Sequence, residues 1–217
     1  MRFSPDGGKY LASAGKDRRL VIWSRVASNE GEIVSFRLAA IVESAHKRII
    51  WSTDFCSVDS TILATGSRDG HVKIWRVQEQ EESSLPVSGN SNVAIEEIYN
   101  FQPLCKADKK VEPVTAVAFA PRGMTMNING MKVRHGIIAV GVESGLIEIW
   151  AVPLIEGDWS AAILHSIPVQ DCHLGVVKKL AWRPAKENES VLTLASCGSD
   201  NGVRLFSISL ISWTGTS

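Results

Sequence analysis

The stretch Leu63–Trp75, LATGSRDGHVKIW, decides the fold of this chain. An apolar strand leads into a Gly/Ser/Asp turn, and a second strand of alternating residues ends on an aromatic side chain. The same pattern occurs three more times, in Leu11–Trp23 (LASAGKDRRLVIW), Ile138–Trp150 (IAVGVESGLIEIW) and Leu194–Phe206 (LASCGSDNGVRLF). One such unit cannot bury its own apolar face, so the pattern predicts repeated units that stack to form a core.

Each repeat extends upstream of the quoted stretch. A second aromatic residue precedes the terminal one in the pairs Phe3 and Trp23, Phe55 and Trp75, Phe119 and Trp150, and Trp182 and Phe206. The first two pairs have a spacing of 20 residues, and inserts at Met124–His135 and Ala185–Ser190, where two strands are joined, lengthen the other spacings to 31 and 24. Further strands are predicted at Ile33–Val42, Ile49–Phe55, Ile95–Leu104, Val114–Phe119 and Val176–Trp182. Four short antiparallel strands per repeat are typical of a propeller blade.

The repeats resemble the WD-repeat family over nearly the whole chain. In that family, a His before the first strand, a Ser or Thr on the second, an Asp in the turn and the terminal Trp form a hydrogen-bonded set. The resemblance implies that the second repeat carries the complete set, as His46, Thr65, Asp69 and Trp75. We expect this set to be a buried structural network rather than a catalytic dyad, because the Asp can accept from both the His and the turn amides.

The other three repeats depart from this set. The first keeps Ser13, Asp17 and Trp23 without a matching His, and the fourth keeps His173, Ser196 and Asp200 with Phe206 in place of Trp. Phe has no N–H donor, so the fourth network loses its indole bond. The third repeat has Val140 and Ser144 where Ser and Asp are expected, and it should therefore lack the network.

We therefore expect an all-β, incomplete WD-repeat β-propeller with about three and a half four-stranded blades. The expected divisions are a blade remnant at 1–42, a blade at 43–104 with a flexible insert between blades at 78–92, a blade at 111–168 and a blade at 173–217. Phe3 aligns with Phe55, which places most of the first strand before Met1, so the chain is expected to be a fragment. Its open strand edges favour self-association.

Composition and motifs argue against several classes of function. The chain has 23 basic and 23 acidic residues, and this balance does not provide a general nucleic-acid footprint. It contains neither a long apolar run nor a catalytic motif, so we expect no membrane span, no enzyme activity and no cofactor. The four cysteines form no CxxC pair and are expected to be buried thiols without a metal, namely Cys56, Cys105, Cys172 and Cys197.

A narrower resemblance lies in Ala45–Trp51 (AHKRIIW), Thr65–Asp69 (TGSRD), Ala139–Gly145 (AVGVESG), His173–Trp182 and Ala195–Gly198 (ASCG). These segments resemble the second propeller of the WD-repeat scaffold subunits of a complex that modifies the wobble uridine of transfer RNAs and is linked to transcription elongation. The resemblance implies a non-catalytic scaffold that holds a large first subunit and a catalytic third subunit. It also implies weak or indirect RNA contact, no membrane and a location in cytoplasm and nucleus.

Three residues are candidates for contact with a partner. Trp51 aligns with Thr115 and Lys178, and a large aromatic there either fills a gap between blades or anchors a partner. Arg48 and Arg68 flank it, and Trp and Arg are common at interface hot spots. Two alternatives remain open: a WD-repeat adaptor such as a ubiquitin-ligase substrate receptor or histone-tail reader, and direct RNA binding by the propeller face.

Overall fold

The computed structural model describes residues 1–26, 34–79, 93–103, 111–128, 130–155, 160–185 and 189–209. Within these ranges the regular structure is β, apart from a 3-10 turn at Val169–Asp171. No helix in the described ranges has the length and apolar character needed to cross a membrane. The strands form four antiparallel sheets, which follow one another along the chain.

The strands of each sheet are hydrogen-bonded in sequence order. Sheet 1 contains β1 (Arg2–Phe3), β2 (Tyr10–Ala14), β3 (Leu20–Arg25) and β4 (Phe36–Val42). Sheet 2 contains β5 (Ile50–Phe55), β6 (Ile62–Ser67), β7 (Val72–Glu79) and β8 (Val93–Phe101). Sheet 3 contains β9 (Val114–Ile128), β10 (Met131–Val142), β11 (Ile147–Pro153) and β12 (Ala162–Ser166). Sheet 4 contains β13 (Val177–Trp182), β14 (Val191–Gly198) and β15 (Val203–Ser209) within the described residues.

The repeated sequence forms the second and third strands of each sheet. The first and last residues of each repeat lie opposite each other, in the pairs Leu11 and Trp23, Leu63 and Trp75, Ile138 and Trp150, and Leu194 and Phe206. One residue of each connecting turn has a positive φ, at Arg18 (68°), Gly70 (81°), Gly145 (98°) and Asn201 (56°). Gly and Asn, which favour this left-handed conformation, occupy the position in sheets 2, 3 and 4, whereas Arg18 adopts it in sheet 1 without that preference.

The core lies between successive sheets, because each sheet contributes apolar side chains from both of its faces. Leu63 and Trp75 of sheet 2 pack with Leu20 and Ile22 of sheet 1. Ile62 and Ile74, on the other face of sheet 2, pack with Phe119, Ile138 and Trp150 of sheet 3. Ile137 and Ile149 of sheet 3 pack in turn with Leu180 and Leu194 of sheet 4. The sheets do not close a ring in the part of the chain that is described, so the fold is an incomplete propeller.

Two inserts take a different form from the one that the sequence predicts. The insert at Met124–His135 lengthens both strands into one long hairpin, since β9 runs to Ile128 and β10 begins at Met131. The segment 78–92 does not separate two blades: Gln78 and Glu79 belong to β7, and the segment connects β7 to β8 within sheet 2. Residues 80–92 themselves lie outside the described ranges.

Candidate functional site

The network of the second repeat joins the loop before β5 to the β6–β7 hairpin. The fully buried His46 side chain places Nδ1 within 3.1 Å of the Asp69 carboxylate. Its Nε2 lies 2.7 Å from Thr65 Oγ1, and Trp75 Nε1 donates to the same hydroxyl oxygen at 2.8 Å. Because a carboxylate only accepts, Nδ1 carries the proton that binds Asp69. The four side chains therefore form one continuous hydrogen-bonded chain.

Asp69 also organises the backbone around it. Its carboxylate accepts from the backbone N–H groups of Lys47 at 2.8 Å and His71 at 3.1 Å. Burial raises the pKa of Asp69, but the bonds from His46 and from these amides outweigh that effect and hold the pKa well below its usual range. Asp69 is therefore a fixed anion whose bonds keep the turn in place.

The fourth repeat builds the same network without an indole. His173 Nδ1 lies 2.8 Å from Asp200 Oδ1, and its Nε2 lies 2.7 Å from Ser196 Oγ. Arg204 donates to Asp200 at 2.9 Å. The sequence pattern does not predict that Arg204 belongs to this network. Burial raises the pKa of Asp200, but hydrogen bonds from His173, from the backbone amides of Leu174 and Gly202 and from Arg204 outweigh that effect and hold the pKa well below its usual range.

The first and third repeats have reduced networks. In the first, Trp23 Nε1 donates to Ser13 Oγ at 2.9 Å, and Asp17 accepts from the backbone N–H of Arg19 at 3.3 Å. In the third, Val140 is buried in the core and Ser144 donates to Glu112 at 2.5 Å. Trp150 Nε1 donates at 2.9 Å to Glu148, two residues earlier on the same strand. Glu148 is buried, so a carboxylate replaces the missing hydroxyl as the acceptor for the indole.

A second set of bonds, which the sequence analysis misses, connects the first strands of neighbouring sheets. Ser52 Oγ accepts from Val117 N at 3.0 Å, and Asp54 Oδ2 accepts from Phe119 N at 2.8 Å. Asp54 also forms an ion pair with Arg2 of sheet 1 at 3.1 Å. Burial raises the pKa of Asp54 to about 6, against the opposing effects of the Phe119 amide and Arg2. These side chains satisfy the exposed edge of β9 and tie three sheets together.

The same arrangement continues toward sheet 4. Thr115 Oγ1 donates to the Val177 carbonyl at 2.7 Å, and Trp182 Nε1 donates to the Ala118 carbonyl at 2.9 Å. In the sequence, these contacts correspond only to polar residues within the first strand of a repeat. Such residues predict bonds between sheets only once it is known which strand edge lies beside them.

The candidate partner contacts lie together at one end of sheet 2. Trp51 occupies a bulge between Ile50 and Ser52, where β5 shifts register against β6, and its side chain is 40% exposed. The guanidinium of Arg68 lies 6.0 Å from the centre of the Trp51 ring. Arg48 is also exposed, and its carbonyl accepts from Ser67 Oγ at 3.3 Å. The bulge turns Trp51 toward solvent, whereas Thr115 at the aligned bulge bonds to the next sheet.

The described cysteines and histidines form no metal site, since no group of three or more metal-ligating side chains occurs in the described residues. Cys56 and Cys172 are buried and Cys197 is half-buried, while Cys105 lies outside the described ranges. Burial raises the pKa of Cys56 to about 11, so this thiol is a poor nucleophile at neutral pH. Buried thiols were expected, and Cys197 departs from that expectation.

These sheets and networks define the fold, which is an incomplete WD-repeat β-propeller in the described part of the chain. The family model described as "WD domain, G-beta repeat" matches residues 1–24 and 39–76. A chain in the crystal structure of a Mitotic Checkpoint Complex has a similar fold, with a TM-score of 0.53 and 17% identity. That similarity covers 93% of this chain and 46% of the other.

Nearly the whole chain is similar to proteins named Elongator complex protein 2. It is 35% identical to the protein of Drosophila melanogaster over 97% of this chain and 23% of the relative. It is 36% identical to that of Arabidopsis thaliana, over 95% of this chain and 22% of the relative. It is 26% identical to that of Saccharomyces cerevisiae, over 96% and 22% respectively. The chain thus spans about a fifth to a quarter of these relatives, and the narrower resemblance in its sequence is confirmed.

Proposed function

We propose that this chain acts as part of a non-catalytic WD-repeat scaffold subunit of the Elongator complex. The observation that carries the proposal is its similarity, over 95% or more of its length, to Elongator complex protein 2 of two distant eukaryotes. In this role the chain holds the large first subunit and the catalytic third subunit, in cytoplasm and nucleus. The modification of transfer-RNA wobble uridines takes place on the catalytic partner, and RNA contact by this chain is weak or indirect.

The chemistry of the histidine networks supports a structural role. A catalytic His and Asp need access to a substrate, but the side chains of His46 and His173 are fully buried. Both histidines are also held on both ring nitrogens by neighbouring side chains. These groups therefore fix the turns of the sheets.

The bonds between first strands support a rigid platform. Neighbouring sheets are hydrogen-bonded to each other directly, through the side chains of Ser52, Asp54 and Thr115 and backbone groups of the next sheet. These bonds resist movement of one sheet relative to the next. Partners bound on different sheets of such a platform keep a fixed relative position, which is the task of a scaffold.

We further propose that Arg48, Trp51 and Arg68 form a contact for a protein partner, the top patch. The exposed Trp51 side chain offers apolar area to a partner, and the Arg68 guanidinium lies within cation–π range of its ring, 6.0 Å from the ring centre. Aromatic and Arg side chains at the centre of an interface supply much of its binding energy.

Affinity purification of the tagged chain from its own cells tests both proposals. Recovery of the large and catalytic Elongator subunits is the expected result, whereas recovery of ubiquitin-ligase or chromatin proteins instead would support the general adaptor. Trp51→Ala with Arg68→Glu should lower the recovery of one subunit. Lys178→Ala with Lys16→Glu is the matched control. In other repeats, Lys178 occupies the bulge position of Trp51 and Lys16 occupies the turn position of Arg68. Unchanged recovery with the first pair, in a folded protein, would dispose of the top patch.

A further inference from the structure

The hairpin formed by β9 and β10 extends beyond the sheet and has two chemically different faces. The cross-strand pairs Ile128 and Met131, Met126 and Val133, and Met124 and His135 place apolar side chains on one face. The alternate pairs, Asn127 with Lys132 and Thr125 with Arg134, form an exposed polar face. Met131 near the tip is 56% exposed.

The hairpin carries positive charge with no acidic residue to balance it. Between Pro113 and Val142 the sequence contains Arg122, Lys132 and Arg134 but neither Asp nor Glu, although the whole chain has no net charge. Burial lowers the pKa of His135, so this residue adds no charge at neutral pH. The hairpin is therefore a local cationic surface on a neutral protein.

A cleft of about 310 Å³ lies between the base of this hairpin and the loop that follows β5. Its lining includes the apolar residues Val58, Pro121 and Met124 and the basic residues Arg122 and Arg134. Arg122 is held by a bond from Nη1 to the Glu189 carbonyl at 2.8 Å, which leaves other N–H groups of the guanidinium for a ligand. The Arg134 side chain has no hydrogen bond or ion pair with any described residue.

Two acidic residues lie close to the residues of the cleft, and the carboxylates of both have other partners. Glu189, whose carbonyl holds Arg122, pairs through its carboxylate with Arg183. Asp59 lies in the loop after β5, close enough to affect Cys56, but its carboxylate accepts from the Thr61 amide at 3.0 Å and the Thr61 hydroxyl at 2.6 Å. No acidic residue is among the described residues that line the cleft. Two arginines that line one cleft, with no acidic residue among the described lining residues, favour a carboxylate from outside.

We propose that this cleft, the hairpin cleft, binds an acidic peptide segment of a partner protein. Carboxylates of the segment face Arg122 and Arg134, and an apolar side chain contacts Val58, Pro121 and Met124. A nucleic acid fits the cleft less well, because the hairpin has no Phe, Tyr or Trp from Pro121 to His135 on which bases stack. A membrane surface also fits the site less well, because the hairpin carries only three Lys or Arg residues and no aromatic residue that could anchor it in a membrane.

Fluorescence anisotropy with the 217-residue chain tests the site independently of any complex. The probe is a short labelled peptide of Glu, Leu and Ser, and its counterpart carries Gln in place of Glu. Arg134→Glu should weaken binding of the acidic probe by about tenfold or more, because the variant puts a like charge against the ligand. Lys132→Glu is the matched control: it makes the same charge change on the same hairpin face outside the cleft, and it should weaken binding by less than about threefold.

Each outcome decides the proposal. Binding of the acidic probe that is selectively lost in Arg134→Glu, and weak for the Gln counterpart, supports the hairpin cleft. Absence of probe binding to the wild-type chain overturns the proposal. An equal loss of probe binding in Lys132→Glu also overturns it, because it would indicate only a general electrostatic attraction to the basic hairpin. Tighter binding of oligouridylate, or of vesicles containing phosphatidylserine, would also overturn it. Circular dichroism checks folding, and Arg134→Gln replaces Arg134→Glu if the latter does not fold.

Discussion

Removing Asp69 tests whether the buried network holds the second repeat together. Asp69→Ala leaves the Nδ1 proton of His46 without an acceptor in a site where the imidazole is fully buried. It also removes the acceptor for the partly buried His71 amide, whereas water can replace the bond to the exposed Lys47 amide. A buried donor left unsatisfied costs about 1–3 kcal/mol, so we expect a loss of about 2–3 kcal/mol in the free energy of unfolding.

The assay is urea unfolding of the 217-residue chain at neutral pH, together with thermal unfolding. For a chain of this size the expected loss lowers Tm by about 5 to 10 °C. Asp17→Ala is the matched control, because Asp17 occupies the same turn position but is exposed and accepts only from the Arg19 amide in the described residues. It should cost less than about 0.5 kcal/mol.

The pH dependence gives an additional check. The pKa of Asp69 is lowered in the folded state, so its stabilising effect is present above the unfolded-state pKa of about 4 and is lost as pH falls toward the folded-state value. The difference between wild type and Asp69→Ala should therefore be constant from about pH 5 to 8 and shrink in acid. An Asp69→Ala protein as stable as Asp17→Ala would refute the network as a source of stability.

Three further predictions follow from other groups. Glu148→Ala should cost about 1–3 kcal/mol in urea unfolding, because the Trp150 N–H loses its acceptor, and Glu148→Gln should restore most of this loss; equal losses would contradict the role of the acceptor. Because the pKa of Asp54 is raised to about 6, wild type should lose stability relative to Asp54→Asn as pH rises from about 4 to 7, and parallel stability curves would contradict the burial argument. The exposed Val203 and Leu205 of β15 should drive self-association, which Val203→Lys with Leu205→Lys should reduce; a monomer of the wild-type chain by light scattering would contradict this.

The repeating part of the fold could be predicted because its signals are local. The pairs that end each repeat, such as Leu63 with Trp75, are joined by one short turn, so spacing along the chain fixes their pairing in space. For the same reason the partners of His46 could be named from the repeat pattern that the family resemblance supplied. These contacts lie within one repeating unit.

Contacts between units were not predictable in this way. Ser52 and Asp54 bond to amides about 65 residues later, and their partners depend on how two sheets pack. Glu148 was missed because an acidic residue on a strand usually indicates an exposed position, whereas here it is buried beside an indole. The hairpin was predicted as a connection because Gly, Asn and Met are weak strand signals, although regular pairing continues to Ile128 and Met131.

The bonds between first strands also fix where the two proposed binding surfaces lie. Ser52 is level with Val117 and Asp54 with Phe119, so β5 and β9 run in the same direction. The top patch lies around the start of β5, whereas the hairpin cleft lies beyond Phe119, past the end of the shared strand segment. The two proposed surfaces are therefore at opposite ends of the sheets, so a ligand on one of them leaves the other accessible.

This arrangement predicts that the two surfaces can be inactivated separately. Arg68→Glu should lower recovery of a complex subunit. It should leave binding of the acidic probe within about twofold of wild type, because the two ends of β5 are farther apart than the Debye length of about 10 Å, beyond which charges are screened. Arg134→Glu should weaken probe binding by about tenfold or more and leave the contact at the top patch intact. Purification and anisotropy on the same two variants check this. Loss of both activities in either folded variant would show that the surfaces are coupled, and the chain would then act as one binding site rather than as a bridge between two partners.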